Sequence, residues 1–528
     1  MAHTFDAIIV GSGFGGAVTA CRLAEGGRKV LVLERGRRWQ PQDYPRDLAD
    51  AWLFDNDEPH EQNGWIDLRI FNDMIVAAGA GVGGGSLIYA NVSVPAHPEL
   101  FDRGWPPEIT FAELEPYYRR VGEMLDLQEL PDNQLTERYK LVLEAATRSG
   151  HGDRFRKLPL AVAFDDEWSY ELDDPFDIRH SKRFTNAFGK QQGTCVHLGN
   201  CDIGCDVQAK NTLDLNYLAQ AEKHGAEIRA LTMVRFLEPI AAGYRVHFDR
   251  LDTGTPVPGS ETAPTVILAA GSLGSTEILL RCRDQYRTLP NLSDFLGRNW
   301  SSNGDFLTPA FYRDRRVSPT HGPTITAAID FLDGSVDGQQ FFIEDGGLPN
   351  VVRNYLDAKM EEGAGNAVVK AVLAGLRKHL DADDPLDNVM PWFSQGIDAA
   401  DGRLYLARSW WPPWRRTGRL RLDWDIARSK ALIEAIIATH KRFAALTGGR
   451  AWVPPTWTIF KNLITPHPLG GCNMGRHSGE GVTDHRGEVF GYPGLYVADG
   501  AVIPEAIGRN PSRTIAALAE RIAHLMNG

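Results

Sequence analysis

Three polar residues near the carboxyl end of this 528-residue chain lie on stiffened turns. His467 has a proline on either side, Asp499 follows a short apolar strand, and Asn510 precedes Pro511. Such groups are held in place rather than mobile. A histidine suits proton transfer because its reference pKa of about 6.5 lies near neutral pH, and an asparagine can both donate and accept hydrogen bonds. We therefore predict that His467 and Asn510 are catalytic, the alternatives being a structural histidine and an asparagine that caps the final helix.

The first 34 residues have the pattern of a dinucleotide-binding unit. A buried strand at residues 6–10 leads into a glycine-rich turn, a helix with apolar residues three and four positions apart, and a strand that ends at Glu34. The glycines permit a tight turn, close approach to a pyrophosphate and close packing of the helix on the sheet. Glu34 can accept hydrogen bonds from a ribose, which favours FAD or NAD over NADP. The predicted contacts in the turn are Gly11, Gly13, Phe14, Gly15 and Gly16.

A second glycine-rich run, VAAGAGVGGGSLIYANVSV, occupies residues 76–94. Its backbone has few side chains in the way and offers N–H donors, so it can wrap closely round a planar ring or a second phosphate. A flexible linker is the alternative, but the apolar residues that resume at Leu87 argue against it. Residues 265–282 again have the pattern of a strand, a glycine turn and a helix, which predicts a return of the chain to the dinucleotide-binding sheet.

The composition is that of an ordinary globular protein, with 43% hydrophobic and 23% charged residues. The length suggests more than one domain. A formal net charge of -12 argues against a nucleic-acid partner or an acidic membrane surface. No window approaches the ~18 apolar residues of a membrane span, and the first residues lack the pattern of an export signal. The sequence therefore predicts a cytoplasmic protein without a membrane span.

Six cysteines in a chain of this length do not form a disulfide framework. Three of them, Cys195, Cys201 and Cys205, nevertheless lie close together in the sequence, with His197 among them. A fourth ligand at matching spacing is missing, so a metal or iron–sulfur site is the less favoured interpretation. We predict no metal site, and expect buried thiols or one local disulfide.

Two stretches, residues 100–189 and 305–455, differ in character from the glycine-rich segments. The first contains amphipathic helices, predicted for residues 111–125 and 134–149. The second contains the alternating segments TITAAIDFL, QQFFIEDGG, RLYLARSWW and RLRLDWDI, which predict antiparallel strands with one face buried. Two helices are predicted there, near residues 366–380 and 429–446. Its aromatic residues pack in the core or line a large apolar substrate pocket, and they include Trp392, Phe393, Trp410, Trp411 and Trp414.

Five motifs spread along the chain resemble those of one family. They are GSGFGGAV with Glu34, GAGVGGGSL, LAAGSLGSTEILL, HPLGGCNMG and LYVADGAVIPEAIGRNPSRTIAALAER. Together they resemble the glucose–methanol–choline (GMC) oxidoreductase family, and within it the cholesterol-oxidase-like branch. The resemblance covers the predicted cofactor domain almost completely and says less about residues 100–190 and 310–455.

The resemblance implies an α/β fold: a Rossmann-type FAD-binding domain built from separated segments, with an α+β substrate domain whose antiparallel sheet covers the flavin. We assign residues 1–99, 190–304 and 456–528 to the first domain and residues 100–189 and 305–455 to the second. The implied reaction is oxidation of an alcohol to a carbonyl by hydride transfer to FAD. Beyond the amino-terminal turn, the predicted cofactor contacts are Glu34, Gly79, Gly84, Gly85, Ser86, Asn91, Val234, Ala270, Gly271, Asp499, Gly500, Asn510 and Pro511.

By the same likeness, His467 matches the active-site histidine and Asn510 its asparagine partner. In the sterol branch a glutamate of the substrate domain also faces the substrate, and Glu344 is the candidate here, the alternative being an ordinary carboxylate near a turn. The chain departs from the family where Tyr89 follows the glycine run, with Asn91 two residues on. No histidine lies inside that run, although His97 follows it, so we expect FAD to be bound without a covalent link.

The favoured substrate is a bulky, mainly apolar alcohol such as a sterol, steroid or terpenoid. A sugar or small polar alcohol is the alternative within the family, and a flavin-binding protein without turnover is a third interpretation. The partners are thus a small alcohol and an electron acceptor, either oxygen or another molecule.

Overall fold

The structure is a computed structural model that describes residues 4–47, 49–352, 386–407, 418–453, 457 and 463–528. The predicted helix near 366–380 and the residues Trp410, Trp411 and Trp414 lie outside this part. The helices are α1 (Phe14–Glu25), α2 (Phe111–Met124), α3 (Glu137–Arg148), α4 (Tyr217–Lys223), α5 (Gly271–Leu280), α6 (Lys430–Leu446) and α7 (Ser512–Asn527).

The strands of the described residues, in chain order, are as follows: β1 (Ala7–Val10), β2 (Val30–Leu33), β3 (Ile66–Ile70), β4 (Met74–Gly79), β5 (Gln128–Glu129), β6 (Phe155–Lys157), β7 (Pro159–Leu160), β8 (Phe184–Thr185), β9 (Gln191–Gln192), β10 (Glu227–Arg229), β11 (Thr232–Ile240), β12 (Gly243–Arg250), β13 (Val257–Ala263), β14 (Thr265–Leu268), β15 (Phe306–Tyr312), β16 (Ala327–Val336), β17 (Gln339–Asp345), β18 (Val389–Gly396), β19 (Arg403–Ala407), β20 (Arg419–Asp423), β21 (Gly449–Ala451), β22 (Leu463–Thr465) and β23 (Leu495–Val497).

A five-stranded parallel sheet with the order β10-β2-β1-β14-β23 forms the first layer. Its strands are short and almost wholly apolar, as expected where helices cover both faces. Helix α1 packs against the carboxyl-terminal helix α7 and against α4. The prediction that residues 265–282 return to the sheet of residues 6–34 is confirmed, since β14 pairs directly with β1. The first and last segments of the chain are thereby joined in one Rossmann-type unit.

A six-stranded antiparallel sheet with the order β21-β15-β18-β17-β16-β6 forms the second layer. Strands β16 and β17 correspond to predicted segments, but β15 and β18 were not predicted. Each of those two contains a proline, and Pro309 and Pro391 lie opposite each other in the register. A proline in an apolar run argues against a strand in the sequence, because it cannot donate to the ladder.

The segments RLYLARSWW and RLRLDWDI supply β19 and β20, which pair antiparallel with one face buried, as predicted, and form a two-stranded sheet of their own. One further prediction needs correction. Helix α3 begins at Glu137, not at Gln134, because the Thr136 hydroxyl accepts the Tyr139 N–H and caps the helix there. Gln134 is instead buried and donates to the Asp165 carbonyl.

One continuous hydrophobic cluster runs through both layers, from Ile8 in β1 to Trp392 in β18 and Ile433 in α6. Trp392 belongs to this core, whereas Phe393 on the next position is only partly buried. A shared core fixes the two sheets relative to each other, so side chains from both can be held around one site. Among the described residues, none of the helices is long and apolar enough to traverse a lipid bilayer. The proposed domain boundaries stay a prediction.

Candidate active site

The amino-terminal glycine turn lies directly against the ends of two neighbouring strands. Gly11 has a φ of +97°, and a Cβ there would lie 2.4 Å from the Ala269 carbonyl oxygen. A Cβ at Gly15 would lie 1.7 Å from the carbonyl oxygen of Ala498, just beyond β23. Both positions therefore require glycine, and the turn is fixed at the carboxyl edge of the parallel sheet, where open α/β sheets bind ligands.

The two glycine-rich runs meet and border a groove without side chains. A Cβ at Gly84 would lie 2.5 Å from the Gly13 Cα, and one at Gly79 would lie 2.4 Å from the Gly84 carbonyl oxygen. By contrast, a Cβ at Gly13 would find its nearest neighbour 3.8 Å away at the Gly85 nitrogen, and Gly85 itself is exposed. Backbone N–H groups at the start of α1 thus face open space that suits a phosphate.

Glu34 is buried and accepts hydrogen bonds on both carboxylate oxygens. Oε2 accepts the Ser12 N–H at 3.1 Å and its hydroxyl at 2.7 Å, and Oε1 accepts the Gly36 N–H at 2.9 Å. Burial raises the pKa of this carboxyl, although these donors oppose the shift. The Ser12 hydroxyl also accepts the Gly83 N–H at 3.1 Å, so Ser12, which was not predicted, ties the acid to the second glycine run. Oε2 already has two donors, whereas Oε1 has one and keeps a lone pair for a ribose hydroxyl.

Asp499 joins the turn after β23 to the start of α5. Its Oδ2 accepts the Gly271 N–H at 2.9 Å and the Ser275 hydroxyl at 2.5 Å, and its Oδ1 accepts the Ala501 N–H at 2.8 Å. Burial raises the pKa of Asp499 to about 6. The contact brings the predicted cofactor residues Ala270 and Gly271 next to Gly500, beside the glycine turn.

Asn91 is the clearest sign of a ligand beside the second glycine run. It is fully buried at a φ of 67°, and neither its side-chain oxygen nor its nitrogen has a hydrogen-bond partner among the residues described. A buried amide with no partner is costly, so we expect a polar group of a ligand to satisfy it. Ser86, by contrast, already donates to the Gly83 carbonyl and accepts the Leu213 N–H, so it fixes the run.

Val234 lies apart from these residues, in the antiparallel sheet of β11 to β13. It is buried beside an irregularity in the register of β11 and β12. Thr232, two residues earlier, donates its N–H to the Glu34 carbonyl at 2.8 Å. If Val234 contacts the cofactor, as predicted, the contact lies near Glu34.

His467 is held by a buried carboxylate that the sequence did not predict. Its Nδ1 lies 2.9 Å from Oδ1 and 3.0 Å from Oδ2 of Asp305, the residue immediately before β15. Thr465, at the end of β22, binds the same carboxylate through its hydroxyl at 2.6 Å and accepts the His467 N–H at 2.9 Å. Burial raises the pKa of Asp305, while the adjacent imidazole opposes the shift.

Glu344 lies in β17 and faces the amide of Asn510. The Gln395 amide donates to Glu344 Oε2 at 2.8 Å, and the Asn510 amide approaches the same oxygen at 3.5 Å. The carboxyl group is fully buried, and burial raises its pKa to about 8. Glu344 Oε1, Gln395 Oε1 and Asn510 Oδ1 have no donor among the described residues. Three unpaired acceptors in one place suit a neutral acid and a ligand that brings a hydroxyl group.

Asn510 is presented by a turn that Asn303 holds. The Asn303 side-chain oxygen accepts the N–H groups of Ile507 and Gly508 at 3.0 and 2.9 Å, and its amide donates to the Arg509 carbonyl at 2.9 Å. Helix α7 begins at Ser512 without a side-chain cap. The alternative that Asn510 caps this helix is therefore wrong, and its side chain is directed at Glu344 instead.

Phe393 connects the two halves of the site. It lies opposite Glu344 in the register of β17 and β18, and its ring centroid is 6.2 Å from that of His467. Phe393 thus adjoins Glu344 across the sheet and His467 through its ring, and Asn510 joins the same site through Glu344. The positioning residues Asp305, Asn303 and Gln395 were missed, because nothing in their spacing distinguishes SSNGD or WFSQG from ordinary loop and strand sequence.

The cysteine cluster does not contribute to this site. All six cysteines are free, which leaves buried thiols and excludes the alternative of one local disulfide. Backbone N–H groups satisfy two of the clustered sulfurs instead, from His197 to Cys195 at 3.4 Å and from Ala209 to Cys205 at 3.2 Å. Burial raises the pKa of both thiols. Across the described residues no group of histidine, cysteine and acidic side chains is arranged to hold a metal ion.

Comparison with known proteins decides the family. The chain is 32% identical over 552 residues to cholesterol oxidase of Mycobacterium tuberculosis (strain ATCC 25618 / H37Rv), covering 99% of this chain and 91% of that protein. The chain belongs to the GMC oxidoreductase family. The family model for GMC oxidoreductase matches residues 400–519, and one for an NAD(P)-binding Rossmann-like domain matches residues 9–39.

Two further comparisons agree with this GMC assignment. Cholesterol oxidase of Acinetobacter baumannii is 29% identical over 543 residues, covering 98% of this chain and 94% of that protein. The structure of formate oxidase from Aspergillus oryzae RIB40 superposes with a TM-score of 0.66 at 15% identity, covering 99% of this chain and 98% of that chain, which supports the fold. This GMC oxidoreductase is thus an FAD-dependent enzyme that oxidises the CH–OH group of an alcohol.

The site fits the cofactor of the family. The side-chain-free groove at Gly13 and Gly85, the buried acid Glu34 and the unpartnered amide of Asn91 match a phosphate, a ribose and a polar ring edge, respectively. These residues belong to different segments of the chain, and the Rossmann-type sheet brings them together.

Proposed function

We propose that this enzyme oxidises a bulky, mainly apolar alcohol, such as a sterol, steroid or terpenoid, to the carbonyl compound. The observation that carries the proposal is a row of residues across four adjacent strands, consisting of Leu307, Phe393, Glu344 and Ala328 in register. Leu307 is 39% exposed, Phe393 is partly buried, and Glu344 is fully buried. An apolar surface thus leads from the outside to a single polar point, which suits a large apolar molecule with one hydroxyl group.

The similarity to cholesterol oxidases over nearly the whole chain supports the same substrate class. A sugar presents several hydroxyl groups and needs several polar partners. Among the residues of this row only Glu344 is polar, and its neighbours Gln395 and Asn510 lie at the same end. A polyol is therefore the less favoured substrate.

FAD held at the glycine runs, Glu34 and Asn91 would supply the acceptor for the hydride that leaves the alcohol carbon. The protein orients the alcohol and removes the hydroxyl proton, and His467 is the proposed base, because no described residue occupies its Nε2. The Asn510 amide and the protonated Glu344 carboxyl are proposed to bind the substrate oxygen as it changes from hydroxyl to carbonyl. Phe393 lies beside His467, with 6.2 Å between the ring centroids.

We also propose that FAD is bound without a covalent link, because residues 76–94 contain no histidine. The electron acceptor is oxygen or another oxidant. One experiment, an anaerobic screen followed by admission of air, identifies both the acceptor and the substrate class.

An anaerobic screen of the FAD-loaded protein tests the proposal. Sterols, terpenoid alcohols, aryl alcohols and sugars are added separately, and the bleaching of the flavin absorbance is followed. We expect sterols or terpenoid alcohols to bleach the flavin fastest, and rapid recovery on admitting air would identify an oxidase. Bleaching by sugars alone would overturn the substrate class, and a flavin that no alcohol bleaches would favour a carrier protein.

A further inference from the structure

We propose that Asp305 is the positioning residue that holds His467 in the one tautomer able to accept a proton at Nε2. The inference deepens the proposed function and rests on it for the role of the histidine. Both carboxylate oxygens of Asp305 lie within 3.0 Å of His467 Nδ1. An ionised carboxylate only accepts hydrogen bonds, and a neutral imidazole carries one proton. The proton therefore lies on Nδ1, and Nε2 keeps its lone pair.

The surroundings of Asp305 fix the ring as well as the proton. Asp305 is 1% exposed, and the Thr465 hydroxyl lies 2.6 Å from its Oδ2. The same hydroxyl accepts the backbone N–H of His467 at 2.9 Å. The histidine is thus held at its backbone by Thr465 and at Nδ1 by Asp305, and these two residues also contact each other, so rotation of the ring would break its contact with the Asp305 carboxylate.

The opposite nitrogen is left available for the substrate. Within the described part of the chain, Nε2 of His467 has no hydrogen-bond partner, and the side chain is 16% exposed. In the proposed reaction the alcohol O–H bond breaks and an Nε2–H bond forms, while the hydride of the same carbon goes to FAD. The imidazolium then lies beside the Asp305 carboxylate in a buried setting, where opposite charges stabilise each other more strongly than in water.

The position of the proton can be measured without any substrate. In FAD-loaded enzyme labelled with ¹⁵N-histidine, the nitrogen chemical shifts report which ring nitrogen is protonated, and the His467→Gln variant identifies the signal. We expect the Nδ1 signal of a protonated nitrogen and the Nε2 signal of an unprotonated one. A proton on Nε2, or a ring protonated at both nitrogens, would overturn the proposal.

Two substitutions separate orientation from charge. In Asp305→Ala the ring loses its acceptor, so we expect mixed tautomers. In Asp305→Asn the amide oxygen still accepts the Nδ1 proton, so we expect the tautomer to be retained. The matched control is Asp398→Asn, because Asp398 is also buried and binds the nearby Ser301 and Ser302 but does not touch His467. A change of tautomer in the control, or none in Asp305→Ala, would contradict the proposal.

Flavin reduction by the alcohol that bleaches the wild type gives a second readout. For Asp305→Asn we expect the rate constant to fall about 10- to 100-fold, less than removal of the base itself, with the dissociation constant of the alcohol little changed. A purely structural role would instead weaken binding or leave both values unchanged. If no apolar alcohol bleaches the flavin, the proposed substrate class fails, while the tautomer measurement still decides the role of Asp305.

Discussion

Burial favours the neutral form of the Glu344 carboxyl group near pH 7. It is fully buried, its Oε2 accepts from the Gln395 amide, and its Oε1 has no partner among the described residues. Burial without a cation raises its pKa to about 8. A neutral carboxyl can donate a hydrogen bond to the substrate oxygen, which an ionised one cannot do.

Replacement of Glu344 by glutamine changes how stability depends on pH. As the pH rises from 4.5 to about 8, the unfolded chain releases this proton and the folded chain keeps it. The free energy of unfolding therefore falls with rising pH by about 1.4 kcal/mol per pH unit from this group. Glu344→Gln lacks that decline, so its Tm relative to the wild type should rise between pH 5 and pH 8 in calorimetry. A difference in Tm that stays constant over this range would show that Glu344 titrates normally.

At the residue scale, the sequence predicts the groups that do chemistry better than those that hold them. The prolines beside His467 and Asn510 and the family motifs made both conspicuous, and Glu344 was proposed from the likeness to the sterol branch of the family. Asp305 lies 162 positions from His467 in the chain. No local sequence pattern links two residues so far apart. Their hydrogen bond forms because the antiparallel sheet places the start of β15 beside His467.

At the scale of elements, the row across β15, β18, β17 and β16 connects the surface to the carboxyl group of Glu344. Its outermost residue, Leu307, lies opposite Phe393, which lies opposite Glu344. Residues in one row of an antiparallel sheet lie on one face, so an apolar molecule that contacts Leu307 can extend toward Glu344.

A charge at Leu307 should weaken binding of an apolar alcohol. We expect Leu307→Glu to raise the dissociation constant about tenfold, since a charged group must be desolvated when the substrate binds. The matched control is Leu143→Glu on α3, where the leucine is 40% exposed, compared with 39% for Leu307. Anaerobic flavin titrations with the preferred alcohol measure both. Equal effects, or none at Leu307, would place the substrate elsewhere.

The glycine turn gives a second test at this scale. Gly15→Ala places a Cβ 1.7 Å from the Ala498 carbonyl, so the turn must move away from the sheet. Overpacking of this kind costs about 1–3 kcal/mol, and we expect the variant to lose FAD during purification as well. Gly152→Ala is the control, because a Cβ there would lie 3.9 Å from its nearest neighbour. The flavin-to-protein absorbance ratio and the Tm report the outcome, and a fully loaded Gly15→Ala protein would contradict the packing.

The sequence predicted the elements that have a local residue pattern. It did not predict the strands whose formation depends on pairing with distant strands. The strand, turn and helix at residues 6–34 repeat a compact pattern, and the structure confirms them. Strands β15 and β18 carry the opposed prolines Pro309 and Pro391, which favour loops in the sequence. Their pairing depends on neighbours far away in the chain, and so does the position of Asp305 at the start of β15.

For the whole molecule, the continuous core explains how two sheets can contribute to one site, one of them for cofactor binding and the other for the groups that face the substrate. The parallel sheet supplies the groove for the cofactor, and the antiparallel sheet supplies Glu344. Asp305 and Asn303, just before β15, hold His467 and the turn of Asn510. The site therefore forms only when the whole chain has folded.

The mode of FAD binding can be tested on the denatured protein. Because no histidine lies in the glycine run at residues 76–94, we expect acid or heat denaturation to release all the flavin. The yellow colour should pass through a filter that retains the protein. Colour that stays with the denatured chain would show a covalent bond and would direct attention to His97.

The most direct test of the account is the rate of flavin bleaching by a sterol in the wild type and in His467→Gln, measured anaerobically by stopped flow. We predict that the wild type is bleached and that the variant keeps its FAD but reacts about 10²- to 10⁴-fold more slowly, because the base that takes the hydroxyl proton is missing. Equal rates in the two proteins would contradict the assignment of His467, and a wild-type flavin that no apolar alcohol bleaches would contradict the proposed function.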